Sequence, residues 1–229
     1  MIFESVCVVG TGRVGAALAA RLTERLPTRT TGRELDCGEA DLVLLCVPDR
    51  AIAEVAAAIP VGPWLAHTSG ATTLDALAPH RRRFSLHPLQ TFTLARGPEQ
   101  LDGAWAAVTG DDEAALAAGY GLARLLRLTA FELADEDRPL YHAGATVAAS
   151  LHVTLHDAAA ELLDAAGAPA EALVPLMRRT IDNGFERTGP HVRGDLETIE
   201  RHLAEIRERL PHLEPLYQTL RDATAALAR

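Results

Sequence analysis

The chain has 229 residues, of which 48% are hydrophobic and 4% aromatic, and its formal net charge is −9 at pH 7. That is enough apolar material for one or two domains with a core built mainly from Ala, Leu and Val. The acidic balance excludes nucleic acid as a default partner, and no apolar run approaches the roughly 20 residues of a membrane helix.

The first predicted strand covers residues 5–10 and contains VCVVG. It runs into GTGRVG, a G-x-G-x-x-G pattern that opens a predicted helix over residues 12–26. In such a turn Gly10 permits the tight bend, Gly12 lets a pyrophosphate approach the backbone, and Gly15 lets helix and strand pack closely. The helix N-terminus then offers unpaired N–H groups to the phosphates. Gly10, Thr11, Gly12, Arg13, Val14 and Gly15 are therefore candidate cofactor-binding residues. A ligand-free glycine-rich turn is the alternative.

A second strand is predicted over residues 28–31. At its end, where NAD sites place an acid for the ribose hydroxyl, the sequence TRTTGRE offers Thr31 and Arg33. A guanidinium suits a 2′-phosphate, so NADP is favoured. Glu34 keeps NAD open, and Arg33 could also be a plain exposed loop residue. Strands follow over residues 41–47, 63–67 and 83–87, with helices over 50–59 and 73–78. The unalternating run DLVLLCV marks a strand covered on both faces, hence a parallel sheet between helices.

Three motifs fall at predicted strand ends: CVPD, HTSGA and HPLQTF. Ligands of open α/β sheets bind outside the carboxyl ends of the strands, so these tips and the glycine turn should line one crevice. Val47 and Pro48 would border the cofactor. His87 could exchange a proton near neutral pH, because its unperturbed pKa is about 6.5. Ser69 could orient a substrate oxygen, and Gln90 could touch substrate. His67 reads more readily as a structural histidine. A strand over 105–109, a helix over 112–126 and a strand over 128–133 complete the first domain, residues 1–133.

Residues 134–229 read as all helical. One long helix is expected over 138–166, ended by Gly167 and Pro169, and another to about residue 183. After the loop FERTGPHVRGD, Asp195 is a plausible N-cap for a helix to about residue 210, and a last helix covers 213–228. Arg193 and Thr188 in that loop are candidates for binding a substrate carboxylate. His142 opens the long helix and is a reserve proton donor. His152 and His156 share a helix face without accompanying carboxylates, so no metal site is expected. The three cysteines, Cys7, Cys37 and Cys46, form no C-x-x-C pair, and neither a disulfide framework nor a zinc site is expected. Cys7 and Cys46 read as core thiols. With no secretory signal visible, a reducing cytoplasm is expected.

The order GTGRVG, ADLVLLCVPD, HTSG, SLHPLQTF, YHAGATVAAS and TGPHVRGD resembles the DUF2520 group of Rossmann-like proteins over nearly the whole chain. That group looks like a branch of the 6-phosphogluconate dehydrogenase-like superfamily. The resemblance implies a Rossmann-type sheet domain followed by an all-α domain, an NADP-type cofactor and a homodimer formed through the helices. It also implies oxidoreduction of a small keto acid or imine, a ketopantoate-like compound being one option. The His-Pro motif of the similar prephenate dehydrogenases raises the standing of His87. The chain departs from β-hydroxyacid dehydrogenases, whose helix carries a Lys and an Asn: here the region reads AGATVAASLHV. Leu151 also stands where related chains carry Asn. The alternative function is therefore a nucleotide-binding sensor or interaction protein without turnover.

Overall fold

A computed structural model describes residues 3–227. The chain divides into two compact units, one up to Val147 and one from Ala148 onwards. The division falls later than the composition change near residue 133, because the start of the next helix is anchored in the first unit.

The first unit holds β1 (Val6–Val9), α1 (Arg13–Thr23), β2 (Thr28–Thr31), β3 (Leu42–Leu45), α2 (Ile52–Ala58), β4 (Trp64–His67), β5 (Arg83–Leu89), β6 (Trp105–Gly110), α3 (Glu113–Leu126), β7 (Thr129–Glu132) and α4 (Arg138–Ala148). The strands form one seven-stranded sheet in the order β2-β1-β3-β4-β5-β6-β7. The predicted helix over 73–78 is a 3₁₀ turn, Leu74–Leu77.

Sheet alternation explains the apolar runs. Val6, Val8, Leu42 and Leu44 join Leu18, Leu22, Phe84 and Leu122 in one buried cluster. Their neighbours Cys7, Val9, Val43 and Leu45 join Ile52, Ala56, Leu65, Leu74 and Leu77 in a second. Both faces of β1 and β3 are thus covered, as continuous apolar strands require. Trp64 and Phe84 pack edge to face with ring centroids 6.0 Å apart.

The sheet is not wholly parallel: β6 runs antiparallel to β5, with His87 opposite Ala107. A parallel connection needs a covering crossover, usually a helix. The segment between these strands has only a 3₁₀ turn, Pro98–Leu101. Buried Gln100 holds that segment together, donating to the carbonyls of Thr93, Arg96 and Gly97 at 2.9 to 3.1 Å.

The second unit contains α5 (Ser150–Ala165), α6 (Leu173–Asp182), the short α7 (Pro190–Arg193), α8 (Leu196–Arg209) and α9 (Glu214–Leu227). The helix expected over 138–166 is interrupted at Ala149, whose φ/ψ of −112°/−77° breaks the helical ladder. Asp195 caps α8, its carboxylate accepting from the Thr198 N–H at 3.1 Å. The buried apolar residues of this unit are few: Leu173, Ile199, Leu203 and Ile206. Leu151, Val153, Leu176 and Ile181 on α5 and α6 are exposed. Residue 228, the end of the last predicted helix, lies outside the described residues. Among the described residues no helix is long and apolar enough to cross a membrane.

Candidate functional site

The chain direction reverses its lateral progress between β2 and β3, which flank β1 on opposite sides. A crevice opens at such a point beyond the carboxyl ends of the strands. Gly10 lies there at φ +110°, a conformation that L side chains resist, and a Cβ on it would collide with the Cys46 carbonyl. Gly15, one turn into α1, presses on the Gly10 carbonyl, so any side chain would push helix and turn apart. Nothing stands within 4 Å of where a Gly12 Cβ would be. Gly12 is also the N-cap of α1 and offers no side-chain hydrogen bond to the first turn. The capping residues Asp112 and Asp195 do so on α3 and α8. Amide groups of α1 therefore face open space, which fits a pyrophosphate. Thr11, Arg13 and Pro48 are exposed, and Val14 and Val47 are half-buried around this turn.

At the end of β2, Arg29, Thr31, Gly32, Arg33, Glu34 and Asp36 line a cavity of about 700 Å³. Arg29 is paired with Asp36 at 2.6 Å. The Thr31 hydroxyl donates to the Glu34 carbonyl, so it braces the loop. Arg33 is exposed, and among the described residues no carboxylate pairs with it.

The parallel strands β1, β3, β4 and β5 are consecutive neighbours, so their carboxyl tips form one row. His67 ends β4 and is fully buried; its Nδ1 accepts from the Ser69 N–H at 3.2 Å. The Ser69 hydroxyl donates to Thr72 Oγ1 at 2.9 Å and accepts from the N–H groups of Ala71 and Thr72. Ser69 thus closes its own loop through the hydroxyl that the sequence offered for orienting a substrate oxygen. Gln90 is likewise engaged: its amide donates to the Gln100 carbonyl and its oxygen accepts from the Thr91 N–H. Its side chain secures the β5–β6 connection.

His87 occupies the tip of β5. Its Nδ1 lies 2.7 Å from the Tyr141 hydroxyl on α4. The His142 ring stands 6.0 Å away at 78°. Both imidazoles crowd Gly70, where a Cβ would lie 2.5 Å from His142 Cδ2 and 2.9 Å from His87 Nε2. Only a residue without a side chain lets both rings reach this point. Burial, then His142 and Arg138, lowers the His87 pKa to about 4. Burial raises the Tyr141 phenol to about 12. His87 is therefore a neutral imidazole at pH 7, not the near-neutral proton exchanger that its unperturbed pKa implied. With the phenol donating to Nδ1, Nε2 carries the ring proton and can donate a hydrogen bond to a substrate oxygen.

Arg138, at the start of α4 and fully buried, ties this corner together. It donates to the Thr72 carbonyl at 2.6 Å, to Thr109 Oγ1 at 2.9 Å and to the Ser69 carbonyl. Asp135 accepts from the Leu74 N–H through both oxygens, at 3.1 and 3.0 Å, and lies 3.8 Å from Arg138. Neither Arg138 nor Tyr141 was a candidate from the sequence.

The depressed histidines make a stability prediction. Burial lowers His67 to about 3, and His87 lies at about 4. An unfolded chain takes up these protons below about pH 6.5, whereas the folded chain resists, so stability is full above that pH and falls below it. The expected slope is about 1.4 kcal/mol per pH unit per histidine down to these values. Urea midpoints measured from pH 7 to pH 4 should show it, and His67→Asn should flatten the profile. An equal slope in both proteins refutes the assignment to His67.

In the second unit, Thr188 is exposed and Arg193 is exposed at the end of α7. Pro190 and His191 of α7 line a cavity of about 520 Å³ with His202, Ile206 and Tyr217.

A profile of a domain of unknown function, DUF2520, matches residues 104–224. No curated protein matches. Among solved structures, a Bacteroides fragilis protein provisionally called an NADP oxidoreductase superposes with TM-score 0.82 at 20% identity, over 97% of this chain and 98% of its own. A Thermotoga maritima protein gives TM-score 0.76 at 24% identity, over 98% and 99% of the two chains. An Aspergillus terreus reductive aminase in complex with NADPH and ethyl levulinate gives 0.68 at 17% identity, over 99% and 95%. At these identities the likeness is one of fold. The profile match spans more than half of the sequence, from β6 to α9, and the chain belongs to the DUF2520 family.

Proposed function

We propose that this chain is an NADP-dependent oxidoreductase acting on a small carboxylate-bearing keto acid or imine. The observation that carries the reading is the juxtaposition of two devices on one sheet edge. One is the helix N-terminus without a side-chain cap behind Gly10 and Gly12; the other is the His87–Tyr141 pair at the tip of β5. When bound, the nicotinamide would supply or accept the hydride.

The amides of the Gly10–Gly15 turn, with Thr11, Arg13 and Val14, would hold the pyrophosphate. Arg33 would take the 2′-phosphate beside Thr31, and Val47 and Pro48 would flank the nucleotide. His87 Nε2–H would donate a hydrogen bond to the substrate's carbonyl oxygen or imine nitrogen, with Tyr141 fixing the ring. His142 would complete the wall. Arg193, with Thr188, is assigned to the carboxylate on its chemistry alone. The fold shared with NADPH-bound enzymes supports the cofactor class. The apolar residues exposed on α5 and α6 support pairing of the helical unit with a second copy.

The test is an NADPH fluorescence titration followed by nucleotide oxidation with a panel of keto acids and cyclic imines. Turnover on a member of the panel is expected. Binding without turnover on any member favours the sensor reading, to which the neutral His87 would be no obstacle. No binding of either nicotinamide nucleotide overturns both. The same titration checks NADP preference: Arg33→Ala should weaken NADPH by about 10- to 100-fold, the range of a lost charge-assisted bond, and leave NADH within about threefold. Equal losses for the two nucleotides refute the role of Arg33.

A further inference from the structure

We propose that Cys7 and Cys37 form a reversible disulfide that staples the loop after β2 to the centre of the sheet. Their Sγ atoms are 2.7 Å apart although 30 positions separate them in sequence. That is well inside non-bonded sulfur contact and close to the roughly 2.05 Å of a disulfide, so bond formation needs little movement. Cys7 is fully buried on β1, with its side chain in the cluster beneath α2, and Cys37 packs against the same cluster from the loop. The C-x-x-C criterion cannot find this pair, because the approach is made by sheet pairing. β1 lies between β2 and β3, and the β2–β3 loop folds back over it.

The two sulfurs are unequal, as stepwise oxidation requires. Cys37 is partly exposed and lines a surface cavity of about 420 Å³ with Pro27, Thr28 and Arg29. Accepting the Cys7 S–H lowers its pKa, while Cys7 is raised by donating that bond and by burial. Cys37 is thus the nucleophile that a small oxidant reaches first. With hydrogen peroxide, the Cys37 sulfur attacks one oxygen and the O–O bond breaks. A sulfenic acid forms and hydroxide leaves. Cys7 Sγ then attacks Cys37 Sγ, the S–O bond breaks, and the oxygen leaves as water with the Cys7 proton. Two thiol sulfurs are oxidised and one peroxide is reduced to the level of water. A dithiol reverses the change.

The loop so closed contains the glycine turn, α1, β2 and Arg33, which is the proposed nucleotide site except for Val47 and Pro48. A consequence, resting on the NADP reading, is that the oxidised protein holds the Arg33 loop ordered before ligand arrives. It should bind NADPH about threefold or more tightly than the reduced protein, since a preordered side chain loses less entropy.

The experiment treats the full chain with stoichiometric hydrogen peroxide and measures intact mass and peptide linkage without reduction. Loss of two hydrogens, a Cys7–Cys37 peptide and reversal by dithiothreitol are expected. Cys46 should remain free, its thiol pushed up to about 12 by desolvation. Cys37→Ser should abolish the linkage, and Cys46→Ser should not. Three free thiols, over-oxidised Cys37 or a linkage through Cys46 each overturn the proposal. If the linkage forms but NADPH affinity is equal in the two states, the coupling to the nucleotide is overturned. If NADPH binds neither state, the cofactor reading fails while the mapped disulfide stands.

Discussion

Replacing Arg138 with Met should destabilise the sheet unit by about 3 to 5 kcal/mol, the range for removing one partner of a buried charged network. Met fills the volume but donates nothing. The carbonyls of Ser69 and Thr72 then lose their donor inside the protein, and so does Thr109 Oγ1. Each such acceptor left unpaired costs about 1 to 3 kcal/mol. Asp135 also loses its counter-charge at 3.8 Å. Both tryptophans, Trp64 and Trp105, lie in strands of this unit, so their fluorescence during urea unfolding reports it alone. Arg138→Lys should fall between, because an ammonium can reach one or two of the three acceptors but lacks the planar fork. A loss below about 1 kcal/mol in Arg138→Met would mean that water replaces the guanidinium and that the residue is not an anchor.

That residue also shows where the sequence stops being informative. The glycine turn and the capping by Asp195 are local: each depends on spacing within a few residues, and each was legible. The two-faced burial of β1 and β3 was legible from unalternating apolar runs. By contrast, Arg138 reaches acceptors 66 and 69 positions away, and Tyr141 meets His87 across 54. A single Arg or Tyr near a helix start carries no periodicity that points to such a partner. The Tyr-His step lay within the motif YHAGATVAAS, yet only its histidine drew notice. The local role of Ser69 is a different case. Its spacing to Thr72 is that of a hydroxyl closing its own turn, a signal that local side-chain-to-backbone bonding could have supplied. The antiparallel β6 had a signal too, since no helical pattern separates it from β5.

The same geometry converts His87 from a titrating group into a fixed dipole, and the largest functional effects follow from that. His87→Ala should lower kcat for a panel substrate by about 10²- to 10³-fold, the range for losing one preorganised hydrogen-bond donor. NADPH affinity should stay within about threefold, because the ring lies at the β5 tip and not in the glycine turn. Tyr141→Phe keeps the ring that packs 5.5 Å from His87 but removes the hydroxyl. Without that donor the imidazole can turn or exchange tautomers, so kcat should fall about 10- to 100-fold with little change in KM. A structural role alone would lower stability and spare kcat in the folded fraction. The pH dependence separates the two descriptions of the histidine. A His87 held at about 4 is neutral from pH 5 to pH 8, so kcat/KM should show no limb near 6.5 from this group. A limb at 6 to 7 that disappears in His87→Gln would show an imidazole that titrates freely, and the fixed-donor account would fall.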